Sequence, residues 1–140
     1  MEKIKGVLVS RAEDGALVVA PHVLEKKDGS YLTALYSAIK CDTVDVVARR
    51  IGQRWFDLWV DDNGLLVNDP VFTAVTVQAN DTSGTIVERL AGNIFVCGSN
   101  KSTGELASLS DEEIKSIQEE KVTAFDRKTR ECREYLFARV

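Results

Sequence analysis

Short runs of apolar, largely β-branched residues, each closed by a turn signal, recur along this chain and leave it little choice but to pair strands. Ile4–Ser10 (IKGVLVS) and Ala16–Ala20 (ALVVA) flank Glu13-Asp14-Gly15. Two such runs around an Asp-Gly turn predict a hairpin, which Pro21 and the charged stretch after it would end. Thr43–Ala48 (TVDVVA) and Arg54–Val60 (RWFDLWV) lie on either side of Ile51-Gly52, which predicts a second hairpin. Alternation along the latter run puts Phe56, Leu58 and Val60 on one face and Trp55, Asp57 and Trp59 on the other. Asp61-Asp62-Asn63-Gly64 reads as the next turn. Gly15 and Gly64 are both expected to take positive φ there. Leu65–Val67 extends the sheet in this reading and Asn68-Asp69-Pro70 breaks it. Phe72–Val77 (FTAVTV) and Ile94–Cys97 (IFVC) supply further strands. Thr85–Leu90 fits either a helical turn or a strand.

Helices are fewer. After Ser30, a plausible N-cap, Leu32, Leu35, Tyr36 and Ile39 recur at amphipathic-helix spacing, which predicts a helix over about 31–40. Ser110-Asp111-Glu112-Glu113 has the capping-box pattern, and its acids suit a helix N-terminus, so a second helix starts near 111. Beyond it, Val122, Phe125, Thr129, Cys132 and Leu136 follow a 3-4-3-4 spacing. That spacing favours a helix over a strand for 121–140, although Tyr135–Val140 is also strand-like. The expected fold is α+β: a largely antiparallel sheet of about five to seven strands with two or three helices covering its apolar face.

At 140 residues the chain suits a single domain, with a core over about 1–120 and a C-terminal extension over about 121–140. Residues 1–120 hold 12 basic and 19 acidic side chains, whereas residues 121–140 hold 6 basic and 3 acidic. The net charge of −4 disfavours a nucleic-acid binder. Cys41, Cys97 and Cys132 are widely spaced and odd in number. They read as reduced thiols in a cytoplasmic protein. The N-terminal apolar run is too short for a signal peptide, and no stretch approaches the ~18 apolar residues of a membrane-spanning helix.

A series of segments in order resembles a known family. The pieces are LTALYSAIK followed by TVDVVAR, then FDLWVDDNGLL, LAGNIFVCG and TGELASLSDEEI. Together they are similar, over about residues 30–118, to bacterial and phage proteins grouped as domain-of-unknown-function family 3846. The first hairpin and its loop are longer here than the family pattern, Pro70–Gly84 is expanded, and the basic tail lies outside the family core. The resemblance carries over no catalytic residue. It implies a phage or mobile-element setting and, with it, a role in managing a host or its defences.

His22 is the single histidine, so no multi-histidine metal site can form, and no serine or cysteine stands in a nucleophile-elbow context. Asp57, Asp61, Asp62 and Asp69 offer oxygen ligands but lack calcium-loop spacing; turn chemistry accounts for Asp61 and Asp62. Asn80–Thr85 (NDTSGT) could hold a phosphate only if Thr85 opened a helix. Ser99–Gly104 (SNKSTG) is a comparable loop with Lys101 added. Cys132, between Arg130 and Arg133, is either a thiol activated by cations or one member of an apolar face.

The most pointed cluster is Arg49, Arg50 and Arg54 beside Trp55 and Trp59. Arginines next to aromatics suit a phosphate or an acidic surface. No enzyme, cofactor or metal is expected. The leading expectation is a small cytoplasmic binding or interaction protein. The alternative is a binder or sequesterer of a small phosphorylated, nucleotide-like ligand at the arginine–tryptophan cluster. Val122, Phe125, Cys132, Leu136 and Phe137 form an apolar stripe with a basic flank. It is expected either to associate with a protein partner or a second copy, or to dock on its own acidic body.

Overall fold

The computed structural model describes residues 2–66, 70–126 and 128–140. The expected first hairpin is β1 (Lys3–Arg11) and β2 (Leu17–Glu25), and the second is β3 (Val44–Ile51) and β4 (Arg54–Asp61). The helix α1 (Leu32–Ile39) lies between them. Then come β5 (Phe72–Val77), β6 (Ile86–Ala91), β7 (Ile94–Ser99), the short β8 (Leu106–Ala107), α2 (Asp111–Glu119), β9 (Lys121–Asp126) and β10 (Glu131–Arg139).

This architecture overturns the α+β expectation of five to seven strands. The described residues form one ten-stranded sheet and only two helices. The backbone order is β2-β1-β7-β4-β3-β10-β5-β6, with β8 beside β7 and β9 beside β10. Most of the excess comes from two places where the spacing was ambiguous. Thr85–Leu90 resolves as the strand β6. The 3-4-3-4 stripe after 121 is no helix: a turn at 128–130, with Arg130 at φ +59, folds it into the hairpin β9–β10. In that hairpin Phe125 faces Cys132 across the strands, while Val122 faces Tyr135. Residues three apart therefore fall on opposite faces.

The hairpin is also woven into the sheet. Leu136–Arg139 of β10 pair in parallel with Ala74–Val77 of β5, and Arg139 pairs with Arg50 of β3. Leu136 and Ala138 are fully buried.

The sheet curls, so that β1 also meets β5 and β2 also meets β10. One apolar cluster fills the inside, joining Val7, Val96, Leu58, Ile51 and Leu136 with Ile114 and Ile117 of α2. A second cluster lies outside, where α1 lays Leu35, Ala38 and Ile39 on Leu24, Phe95 and Cys97. The strand β7 is covered on both faces: Ile94 and Val96 point into the first cluster, Phe95 and Cys97 into the second. This double burial explains its unbroken apolar run. The capping box forms as expected, with the Glu113 amide donating to Ser110 Oγ at 3.1 Å and the Ser110 amide donating to Glu113 Oε1 at 2.9 Å.

Pro21 does not end β2; it sits within the strand, opposite Val7. Because β2 is an edge strand, a residue without an amide hydrogen is tolerated there. Gly15 takes φ +88 as expected, but Gly64 is not among the positive-φ glycines. Gly64 is needed for closeness instead, since a Cβ there would lie 3.2 Å from the Asp61 carbonyl oxygen and 3.3 Å from that of Ala91. Leu65 and Leu66 lie in a turn rather than in a strand. The rest of the predicted extension and break, Val67, Asn68 and Asp69, lies outside the described residues.

Candidate functional site

Antiparallel pairing of β3 with β4 sets Arg50 opposite Trp55, Ala48 opposite Asp57 and Val46 opposite Trp59. Cross-strand partners share a face, so these six residues stand on the outer side of the sheet. The helix α1 covers only part of that side. Trp59 packs against the cluster under α1, whereas Trp55 stands beyond it and is 59% exposed. Val46 and Ala48 are exposed on the same strip.

Arg49 and Arg54 alternate to the other face. The Arg49 guanidinium makes a two-pronged contact with Glu88, Nε to Oε1 at 3.0 Å and Nη2 to Oε2 at 2.9 Å. Glu88 Oε1 also accepts from the Thr76 hydroxyl. Arg54 reaches Glu113 of α2 at 3.7 Å. Of the five residues in the arginine–tryptophan cluster, the fold therefore brings Arg50 and Trp55 together and directs Arg49, Arg54 and Trp59 elsewhere.

The fold adds a residue that no local pattern marked. Arg139 is the register partner of Arg50, so Trp55, Arg50 and Arg139 form one row across β4, β3 and β10. A cavity of about 180 Å³ opens at the arginine end of this row, walled by Arg50, Gly52, Gln53, Glu120, Phe137 and Arg139. Arg50 Nη2 donates to the Ala79 carbonyl at 3.1 Å. Arg139 Nη1 donates to the carbonyls of Gln78 at 3.2 Å and Asp81 at 3.0 Å. Arg50 Nε is buried with no partner. Neither guanidinium makes an ion pair among the described residues. The only sequence hint of Arg139 was the basic excess of the tail, because strand pairing over 89 positions has no local signature.

The loop Ser99–Gly104 reaches the tryptophan end of the row. Ser99 and Lys101 border a recess of about 480 Å³ together with Trp55, Asp57, Ser108 and Glu113. The loop Asn80–Thr85 does not open a helix. There the Asp81 carboxylate accepts from the Ser83 amide at 2.7 Å and the Ser83 hydroxyl at 2.6 Å, which holds Asp81 below the usual carboxylate range. Asp61 accepts from the Asn63 amide, as turn chemistry requires.

His22 stands on β2 with its ring edge-on to Phe95, at the floor of a cleft of about 510 Å³ between α1 and the first hairpin. Ser10, Ser37, Lys40 and Asn93 also line it. All three cysteines are free thiols. Burial pushes Cys97 up to about 12, with Asp57 adding to the shift, and burial also raises Cys41. Cys132 is exposed opposite Phe125, which is 59% exposed, while Leu136 is buried in the core. The five residues of the predicted apolar stripe thus divide between surface and core. Among the described residues no group of three or more His, Cys, Asp or Glu side chains could hold a metal ion. No described helix is long and apolar enough to cross a membrane.

Neither the curated proteins nor the solved structures compared with this chain include a match. Residues 9–121, from β1 to the start of β9, match the family described as Domain of unknown function (DUF3846), and the chain belongs to that family.

Proposed function

We propose that this chain is a small, non-enzymatic, cytoplasmic binding protein of phage or mobile-element type. In this reading it engages a host or defence component through the outer face of β3 and β4. The observation that carries the reading is Trp55, which is 59% exposed beside the exposed Val46 and Ala48. An aromatic side chain can bury roughly 150–250 Å². Leaving most of an indole in water forgoes that burial, and a docked target recovers it at about 25 cal/mol per Å². Of the three thiols, burial raises Cys97 and Cys41, which disfavours both as nucleophiles.

The test is a photo-crosslinking amino acid placed at Val46 of the full chain and expressed in the host. A single crosslinked protein that disappears in Trp55→Ala supports the reading. Crosslinking indifferent to Trp55, or none, overturns it.

A second reading, binding of a small phosphorylated ligand, is favoured by one specific observation. Arg50 shares the face of Trp55, makes no ion pair among the described residues and keeps a buried, unpartnered Nε.

A further inference from the structure

We infer that Arg139, Arg50 and Trp55 form a transverse binding row for a nucleoside monophosphate, with the phosphate between the guanidiniums and the base on the indole. This rests on the phosphorylated-ligand reading and extends it with a residue and a ligand class.

Arg50 and Arg139 are direct cross-strand neighbours, and like charges so placed repel. Their backbone partners account for few of their hydrogens. Each guanidinium carries five N–H donors, and the bonds found use Nη2 of Arg50 and Nη1 of Arg139. Those bonds staple the 78–81 segment. Asp81, bonded to Ser83, and Glu120 in the cavity wall offset part of the repulsion, but neither forms an ion pair with Arg50 or Arg139. A phosphate monoester, with a charge of about −1.5 to −2, would accept from both forks and turn the repulsion into attraction.

The cavity of about 180 Å³ suits a phosphoryl group and not a purine as well. The rest of the ligand must lie outside it. Adjacent strands are about 4.7–4.9 Å apart, so Trp55 stands about 10 Å along the row from Arg139. A ribose bridges a phosphate and a base over a comparable span. An exposed indole on a strand is a sequence-tolerant stacking platform for bases.

Glu120 is the acidic member of the cavity wall. That carboxylate, beside the phosphoryl cavity, disfavours further phosphates, which selects a monophosphate over a di- or triphosphate.

The experiment is an isothermal titration calorimetry series on the full chain, a readout that survives the loss of either tryptophan. The probes are adenosine monophosphate, ribose 5-phosphate, adenosine and inorganic phosphate. Adenosine monophosphate should bind saturably and at least about tenfold tighter than any of the other three. Arg139→Gln should weaken it about tenfold or more, and Trp55→Ala should reduce its affinity to that of ribose 5-phosphate. If Arg139→Gln fails to fold, Trp55→Ala, a surface change, and Glu120→Gln decide; the latter should let adenosine diphosphate bind as well as the monophosphate. Equal binding of ribose 5-phosphate and adenosine monophosphate, unaffected by Trp55→Ala, overturns the inference but leaves the phosphorylated-ligand reading standing. Failure of every phosphorylated probe to bind overturns both.

Discussion

Trp55 and Trp59 sit four residues apart on one strand and one face, yet they have opposite fates. Trp59 lies next to α1 and joins Leu35, Phe95 and Cys97 in a packed cluster. Trp55 lies past the helix and is mostly in water. The cause is length: α1 has eight residues, and at 1.5 Å per residue it spans about 12 Å. It shields β1, β2, β7, the near part of β4 and Val44 at the start of β3, and leaves the far part of β4 and the rest of β3 uncovered. The covered half of the outer face stabilises the fold; the bare half leaves Trp55, Val46 and Ala48 in water.

Thiol chemistry should give the sharpest contrast between covered and bare surface. At pH 8, Ellman's reagent should modify the exposed Cys132 promptly. It should reach Cys97, buried and held protonated up to about 12, only on unfolding. Fast labelling of Cys97 in the native protein would mean that α1 does not seal the covered half. Phe95→Ala, beneath α1, should cost about 3–5 kcal/mol in urea denaturation, because it removes a fully buried ring and leaves a cavity. A cost under 1 kcal/mol would erase the distinction between the two halves. Leu136→Ala should cost about 2–5 kcal/mol by the same logic. That loss would show that β10, which places Arg139 in the row, is part of the core although it lies outside the family match. A variant as stable as the parent would make the C-terminal hairpin an appendage. Trp55→Ala should be the mildest, shifting stability by less than about 0.5 kcal/mol while removing the more water-exposed part of the fluorescence emission. A large destabilisation would show that Trp55 is structural.

Legibility varied with the range of the interaction. The hairpins at Gly15 and Gly52, the alternation of Arg54–Val60 and the capping box at Ser110 were readable, since each is decided within a few residues. The stripe from Val122 to Leu136 misleads for the same reason. A 3-4 spacing on either side of a turn imitates a helix, and only pairing with β5 shows that it belongs to strands. The arginine–tryptophan cluster was legible in part. Alternation within one hairpin puts Arg50 and Trp55 on a common face and sends Arg49 and Arg54 to the opposite one. Their actual partners, Glu88 and Glu113, lie 39 and 59 positions away.

By itself, then, the sequence determined the local pieces: where the chain turns, which strand face is apolar, where α2 begins, and that no multi-histidine site can form from one histidine. Tertiary structure decided what those pieces face. It curled the sheet around an inner core, placed a short helix over half of the outer face, and brought Arg139 beside Arg50. The physical reason is that propensity and turn chemistry act over a few residues. Strand order, burial and the meeting of charges are set by which distant surfaces exclude water together.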